Sequence, residues 1–174
     1  MRKVLGFTGL LAVFVFALTA SPVSAGSSPL TVATGSFTLH ASDFGGPNGA
    51  NRTVAFSVQQ RSDGTVTGQL QSRSFGGNVS HGNINCFVRD GNKAIVGGVF
   101  TAFSQDPTLV GAEFAFAIQD NPDVSTFIFF GVFDPSVSAC DQFLGSFDPP
   151  EPDIGSVLND FGLPITTGNI RIGP

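Results

Sequence analysis

The chain has 174 residues, with 8 Lys+Arg against 13 Asp+Glu, a formal net charge of -5 and only 12% charged residues. So few cations exclude a protein that neutralises a phosphate backbone. The 41% hydrophobic content excludes a disordered chain, and two Cys exclude a zinc ribbon or a disulfide-dense mini-protein. What remains is a domain rich in Gly (22) and Phe (19), without Tyr or Trp.

Arg2 and Lys3 precede an apolar run from Val4 to Ala20, and Val23-Ser24-Ala25 supplies small residues for a signal peptidase. Residues 1–25 are therefore expected to be a cleaved signal peptide, and residues 26–174 a single secreted β domain. An uncleaved anchor is the alternative, because about 17 apolar residues is the short limit for a membrane span. No Cys follows the run to carry a lipid, and no later stretch is long and apolar enough to span a bilayer. Cleavage removes two cations, and the acidic balance that results argues against anionic partners.

From Thr31 onward the hydrophobic pattern has period two, the signature of strands. Thr34–His40 alternates around Phe37 and Leu39. A loop from Asp43 to Asn51 leads to Thr53–Gln59, with Val54, Phe56 and Val58 on one face. Asp63-Gly64 is a strong hairpin signal, and Thr65–Gln71 returns with Val66, Gly68 and Leu70 inward. Gly76-Gly77-Asn78 turns into a strand Val79–Val88, in which the alternation places Ile84 and Cys86 on one face. After Arg89–Asn92, Lys93–Phe103 is apolar or Gly on both faces, so it is expected to be central and covered on both sides. Ala112–Gln119 sends Phe114, Phe116 and Ile118 one way. Ser125–Phe133 reads as the most apolar strand, aggregation-prone unless buried.

Alternation stops after Cys140. Asp148–Asp153 reads as a Pro-rich acidic connector, Ile154–Phe161 as one or two helical turns stopped by Gly162, and Thr166–Ile172 as a last short strand. The sum is an all-β, single-domain antiparallel β-sandwich or small barrel of about eight strands, with at most one short helix near the C-terminus. Phe needs no buried polar partner, so an all-Phe aromatic set reads as core filling rather than a carbohydrate platform. Cys86 and Cys140 are expected to pair, as an even count in an exported chain suggests.

The run Val79-Ser80-His81-Gly82-Asn83-Ile84-Asn85-Cys86-Phe87-Val88, then Gly91-Asn92-Lys93-Ala94-Ile95-Val96-Gly97-Gly98, Asp120-Asn121, Cys140 and Thr167-Gly168-Asn169 resembles a loosely defined family of small exported bacterial β-rich proteins of unassigned function. Pro122-Asp123-Val124 stands where similar chains continue with a Gly-rich acidic loop. The resemblance implies an exported β domain and transfers no activity.

Residues that could carry chemistry are few. There is no Gly-x-Ser-x-Gly elbow and no phosphate-cradling Gly-x-x-x-x-Gly-Lys. His40 and His81 are the only candidate bases for a nucleophilic Ser, and His81 reads as a polar strand-end residue. Glu113 is the one acid interrupting a strand in mid-pattern, and Glu151 is the only other Glu. Asp120-Asn121-Pro122-Asp123 is an oxygen-rich turn that could hold calcium, and Asp148, Glu151 and Asp153 form a second acidic group. Neither has EF-hand spacing, so both read as solvated segments. Asn51-Arg52-Thr53 and Asn78-Val79-Ser80 match the glycosylation sequon. The expectation is thus an exported, non-enzymatic β domain, structural or surface-binding, with no catalytic, cofactor or metal residues and no nucleic-acid partner. The rival readings are a barrel that carries a small apolar ligand past Phe114, Phe116, Phe127 and Phe129, and an extracellular hydrolase of unrecognised type.

Overall fold

The structure, a computed structural model, describes residues 29–40, 51–126, 128–131, 134, 136–147 and 153–173. The expected signal peptide, the loop before Asn51, Phe127 and the connector up to Pro152 lie outside the described residues. The strands are β1 (Pro29–His40), β2 (Asn51–Arg61), β3 (Val66–Arg73), β4 (Val79–Asp90), β5 (Lys93–Phe103), β6 (Glu113–Gln119), β7 (Val124–Ser125), β8 (Phe129–Gly131), β9 (Leu163–Pro164) and β10 (Thr167–Ile172). Two helices, α1 (Ala139–Gly145) and α2 (Ile154–Phe161), fall between β8 and β9.

All ten strands belong to one antiparallel sheet in the order β10-β1-β2-β3-β4-β5-β6-β7-β9, with β8 beside β6. A sandwich needs two facing sheets, so this chain takes the curled form, a half-barrel wrapped around its own inner face. The β2–β3 hairpin turns where Asp63-Gly64 predicts: Gly64 has φ 83° and the Asp63 carboxylate accepts from the Thr65 N–H at 2.9 Å.

The inner face is built in cross-strand rows. In one row Ile170, Gly35, Phe56, Leu70, Gly82 and Phe100 stand in register across six strands. The two glycines in it are sites of close approach. The Phe56 ring lies over Gly35 and the Phe114 ring over Gly82, where a Cβ would overlap a ring carbon. Phe56 meets Phe116 edge-on at 5.6 Å between ring centres, and Phe100 meets Phe114 at 4.9 Å. Phe37, Phe114 and Phe116 are buried side chains in this interior. Phe therefore fills the barrel, as its lack of a polar end permits.

A slip in the middle of β4 shifts the two-residue rhythm. Between Ile84 and Cys86 the pairing with β5 slips by one residue, Ile84 facing Gly98 and Cys86 facing Gly97. The extra residue, Asn85, makes a β-bulge. Ile84 and Phe87 consequently enter the interior, whereas Cys86 joins the opposite face. The expectation that Ile84 and Cys86 share a face is corrected: a period-two count fails across an inserted residue. Gly98 permits the bulge, since a Cβ there would meet the Asn83 carbonyl oxygen and lie 2.8 Å from the Ile84 Cα.

As expected, β5 is covered on both sides. Ala94 and Val96 face the barrel interior, and Ile95 faces a second cluster containing Ala115, Ala117, Phe143, Ile154, Val157 and Leu158. That cluster is the seam under the two helices. The limit of one short helix is corrected by α1, which starts at Cys140's own turn. The Ser138 hydroxyl accepts from the Asp141 N–H at 3.2 Å and donates to the Asp141 carboxylate at 2.7 Å. α2 occupies Ile154–Phe161, with the Asp153 carboxylate accepting from the Ser156 N–H and Gly162 ending it. Of the predicted single strand over Ser125–Phe133, Phe127, Val132 and Phe133 lie outside the described residues, and the described part is divided. β7 and β8 are separate short pairings to β6, at opposite ends of it.

Cys86 and Cys140 form the expected disulfide, with 6.0 Å between Cα atoms. It pins the first turn of α1 to the bulge of β4. Gly97 lies directly beneath, where a Cβ would stand 2.5 Å from the Cys86 Sγ and 3.2 Å from the Ala139 Cβ.

Candidate functional site

Two surfaces concentrate polar side chains, and of the catalytic candidates of the sequence only His81 lies on one of them. The first is the outer face of β10, β1, β2, β3 and β4. Register places Thr167, Thr38, Thr53, Arg73 and Val79 in one cross-strand row. Asn169, Ser36, Ala55, Gln71 and His81 form the next, and Arg171, Thr34, Ser57, Gln69 and Asn83 the third. Most of these side chains are exposed, and none of the three rows contains an acid. In a chain with a net charge of -5 this is a segregation of charge: hydroxyls, amides and arginines here, carboxylates at turns and around the helices. Two adjoining surface grooves of about 400 and 260 Å³ share Ala55 and Gln71, because the small side chain of Ala55 leaves a hollow between its longer neighbours.

The second surface is one end of the barrel interior. Arg52 pairs with Leu39 and lies two residues before Val54, so strand parity turns it inward with Val54, Phe56 and Val58. Burial pushes its guanidinium below the ordinary arginine pKa. Its Nε is inaccessible and has no hydrogen-bond partner. Around it stand Ser72 and Ser80, which pair across β3 and β4 and are 4% and 6% exposed, together with Ser74, Asn78 and Phe103. The cavity they enclose has about 10 Å³. Sequence reasoning passed over Arg52 as the middle of a glycosylation sequon. The signal lay one step before the strand was taken to start, at an even-numbered position in phase with three buried residues.

Among the described residues neither His40 nor His81 bonds to an acid. His40 Nδ1 shares a 2.7 Å hydrogen bond with Asn51 Oδ1, and His81 is exposed in a row between Gln71 and Ala102. Glu113 sits on the helix side of β6. Its carboxyl is raised above the ordinary glutamate value, first by desolvation and then by the neighbouring Asp134 carboxylate, against a lowering hydrogen bond from Gln142 Nε2 at 3.3 Å. Gln142 also donates to the Asp134 and Val137 carbonyls and accepts from the Asp134 N–H, so this group braces the segment before α1.

The Asp120–Asp123 turn closes the sheet. Asp123 Oδ2 accepts from the Ile170 N–H and Asp120 Oδ2 from the Ile172 N–H, each at 3.1 Å. These two donors lie on the edge of β10 away from β1, so the carboxylates satisfy an otherwise open strand edge. Asp153 caps α2, while Asp148 and Glu151 lie outside the described residues. Among the described residues no three His, Cys, Asp or Glu gather as a metal site, and no helix is long and apolar enough to cross a membrane.

Compared with protein-family models, curated proteins and solved structures, the chain matches none.

Proposed function

We propose that the chain is an exported, non-enzymatic β domain that works by surface association, and that its contact surface is the outer face of β10-β1-β2-β3-β4. The observation that carries this reading is the acid-free array of hydroxyl, amide and guanidinium groups on an otherwise acidic protein. A face of that chemistry suits a hydroxyl-rich polysaccharide gripped by hydrogen bonds. It departs from platforms that stack sugars on Tyr or Trp, which this chain lacks. No carboxylate stands in the three rows, and Asp120 and Asp123 at the β10 edge accept from the Ile172 and Ile170 N–H groups.

The carrier reading finds less support. The rings of Phe56, Phe100, Phe114 and Phe116 meet one another across the interior that an apolar ligand would need.

The test is retention of the protein on immobilised neutral and uronate-bearing polysaccharides. Ser57→Glu with Gln71→Glu should abolish retention, and Asn159→Glu on the exposed side of α2 should leave it intact. Equal retention of all three proteins would refute the assigned face. Turnover of a hydrolase substrate that disappears on changing His81 or Glu113 would refute the non-enzymatic reading.

A further inference from the structure

The interior of a small barrel is the costliest place for a lone cation. A guanidinium withdrawn from water is normally paired with a carboxylate and fully hydrogen-bonded. Among the described residues Arg52 has no carboxylate partner; its Nε is inaccessible and unbonded, and desolvation lowers its pKa. The fold does not need it there. The same inward column already holds Val54, Phe56 and Val58, and an aliphatic residue at position 52 would extend it without an orphaned donor.

Around Arg52 the cavity is lined by the apolar Phe100, Phe103 and Ile128 and by four uncharged polar residues. Ser72, Ser74 and Ser80 contribute hydroxyls, and Asn78, whose Oδ1 accepts from the Ser104 hydroxyl at 3.0 Å, contributes an NH2 donor. Among the described residues no carboxylate lines the cavity. Hydroxyls can donate as well as accept, and a guanidinium only donates, so an oxyanion oxygen placed among them would accept from the hydroxyls and from Arg52 alike. The space of about 10 Å³ is that of a single oxygen atom or water, so the whole of a large ligand does not enter. One oxygen of an oxyanion does, with the remainder of the ligand at the mouth.

From these observations we infer that the Arg52 end of the barrel is a binding site for a small oxyanion, the carboxylate or phosphate group of a ligand whose body stays outside. This is independent of the association proposed for the outer face, because Arg52 points to the opposite side of the sheet from Thr53 and Ala55. The Arg52 Nε–H can donate to the entering oxygen, and such a charge-assisted bond is short and strong. The arrangement sacrifices stability in the empty state for affinity in the filled one.

The experiment follows the Nε–H resonance of Arg52 in the ¹⁵N-labelled protein during separate titrations with formate, acetate, inorganic phosphate and, as an ionic-strength control, chloride. The Arg52 resonance should move saturably with formate or acetate, with phosphate, or with both, while those of exposed Arg61 and Arg73 stay in place. The carboxylate and phosphate arms identify which head group is accepted. The melting temperature should rise by about 3–6 °C at tenfold the dissociation constant. Arg52→Met should abolish that rise, and in oxyanion-free buffer should melt at the same temperature as the unsubstituted protein or higher. The inference is overturned if no oxyanion moves the resonance, if chloride moves it equally, or if Arg52→Met keeps the rise. Should Arg52→Met fail to fold, the titration of the unsubstituted protein decides alone.

Discussion

Removing the Cys86–Cys140 bridge by substituting both residues with Ala should cost this domain about 4 kcal/mol. The bridge joins positions separated by 54 residues, and closing a loop of that length lowers the entropy of the unfolded chain by an amount worth about 4 kcal/mol at room temperature. A second contribution comes from the native side. Cys86 is 8% exposed and Cys140 is fully buried, in the cluster that holds Ile95, Ala139 and Phe143. α1 has seven residues, too few to persist without packing, and the bridge fastens its first turn. Urea unfolding followed by far-ultraviolet circular dichroism should show the midpoint falling by about 2 M, for a slope of about 2 kcal/mol per M. A fall of less than about 0.5 M would refute the reasoning, because it would mean that neither the loop constraint nor the anchoring of α1 matters.

Other outcomes follow from single side chains. Asp123→Ala removes the acceptor for the Ile170 N–H and frees part of the β10 edge. It should destabilise by about 1.5–3 kcal/mol in thermal or urea melts and promote self-association on gel filtration, whereas Asp106→Ala, in an exposed loop, should not self-associate. Glu113 has a folded-state pKa above its unfolded one, so the folded protein binds the extra proton and stability falls as pH rises through that window. Glu113→Gln should flatten this part of the profile and leave the protein slightly more stable at neutral pH, by a few tenths of a kcal/mol because the group is largely solvated. Melting curves across pH 3 to 7 check the sign. Asp134, whose carboxyl is lowered by its bonds from Ser136, contributes in the opposite sense and loses its effect as pH falls.

Much of the sheet was legible because its determinants are local. The Asp63-Gly64 turn, the inward Phe114, Phe116 and Ile118, the double coverage of β5 and the limits of α2 at Asp153 and Gly162 all follow from turn chemistry, strand parity and caps. What escaped depends on register. The inserted Asn85 moves Cys86 to the other face, and nothing in the run Asn83-Ile84-Asn85-Cys86 announces it except Gly98 across the ladder. α1 was hidden because its buried residues number only three, although Ser138 with Asp141 three places on is a capping signature. The outer face escaped for a different reason. Its members are ordinary exposed residues in five separate strands, and their lack of acids becomes visible only when the register aligns them.

The most direct test of the association proposed here is hydroxyl-radical footprinting of the protein free and bound to the polysaccharide that retains it. The account predicts protection at exposed side chains of β10, β1, β2, β3 and β4, among them His81, Gln71 and Arg171, with the helix side at Phe161 and Val137 unchanged. Protection concentrated at Phe161 and Val137, with His81 and Gln71 unaltered, would contradict it.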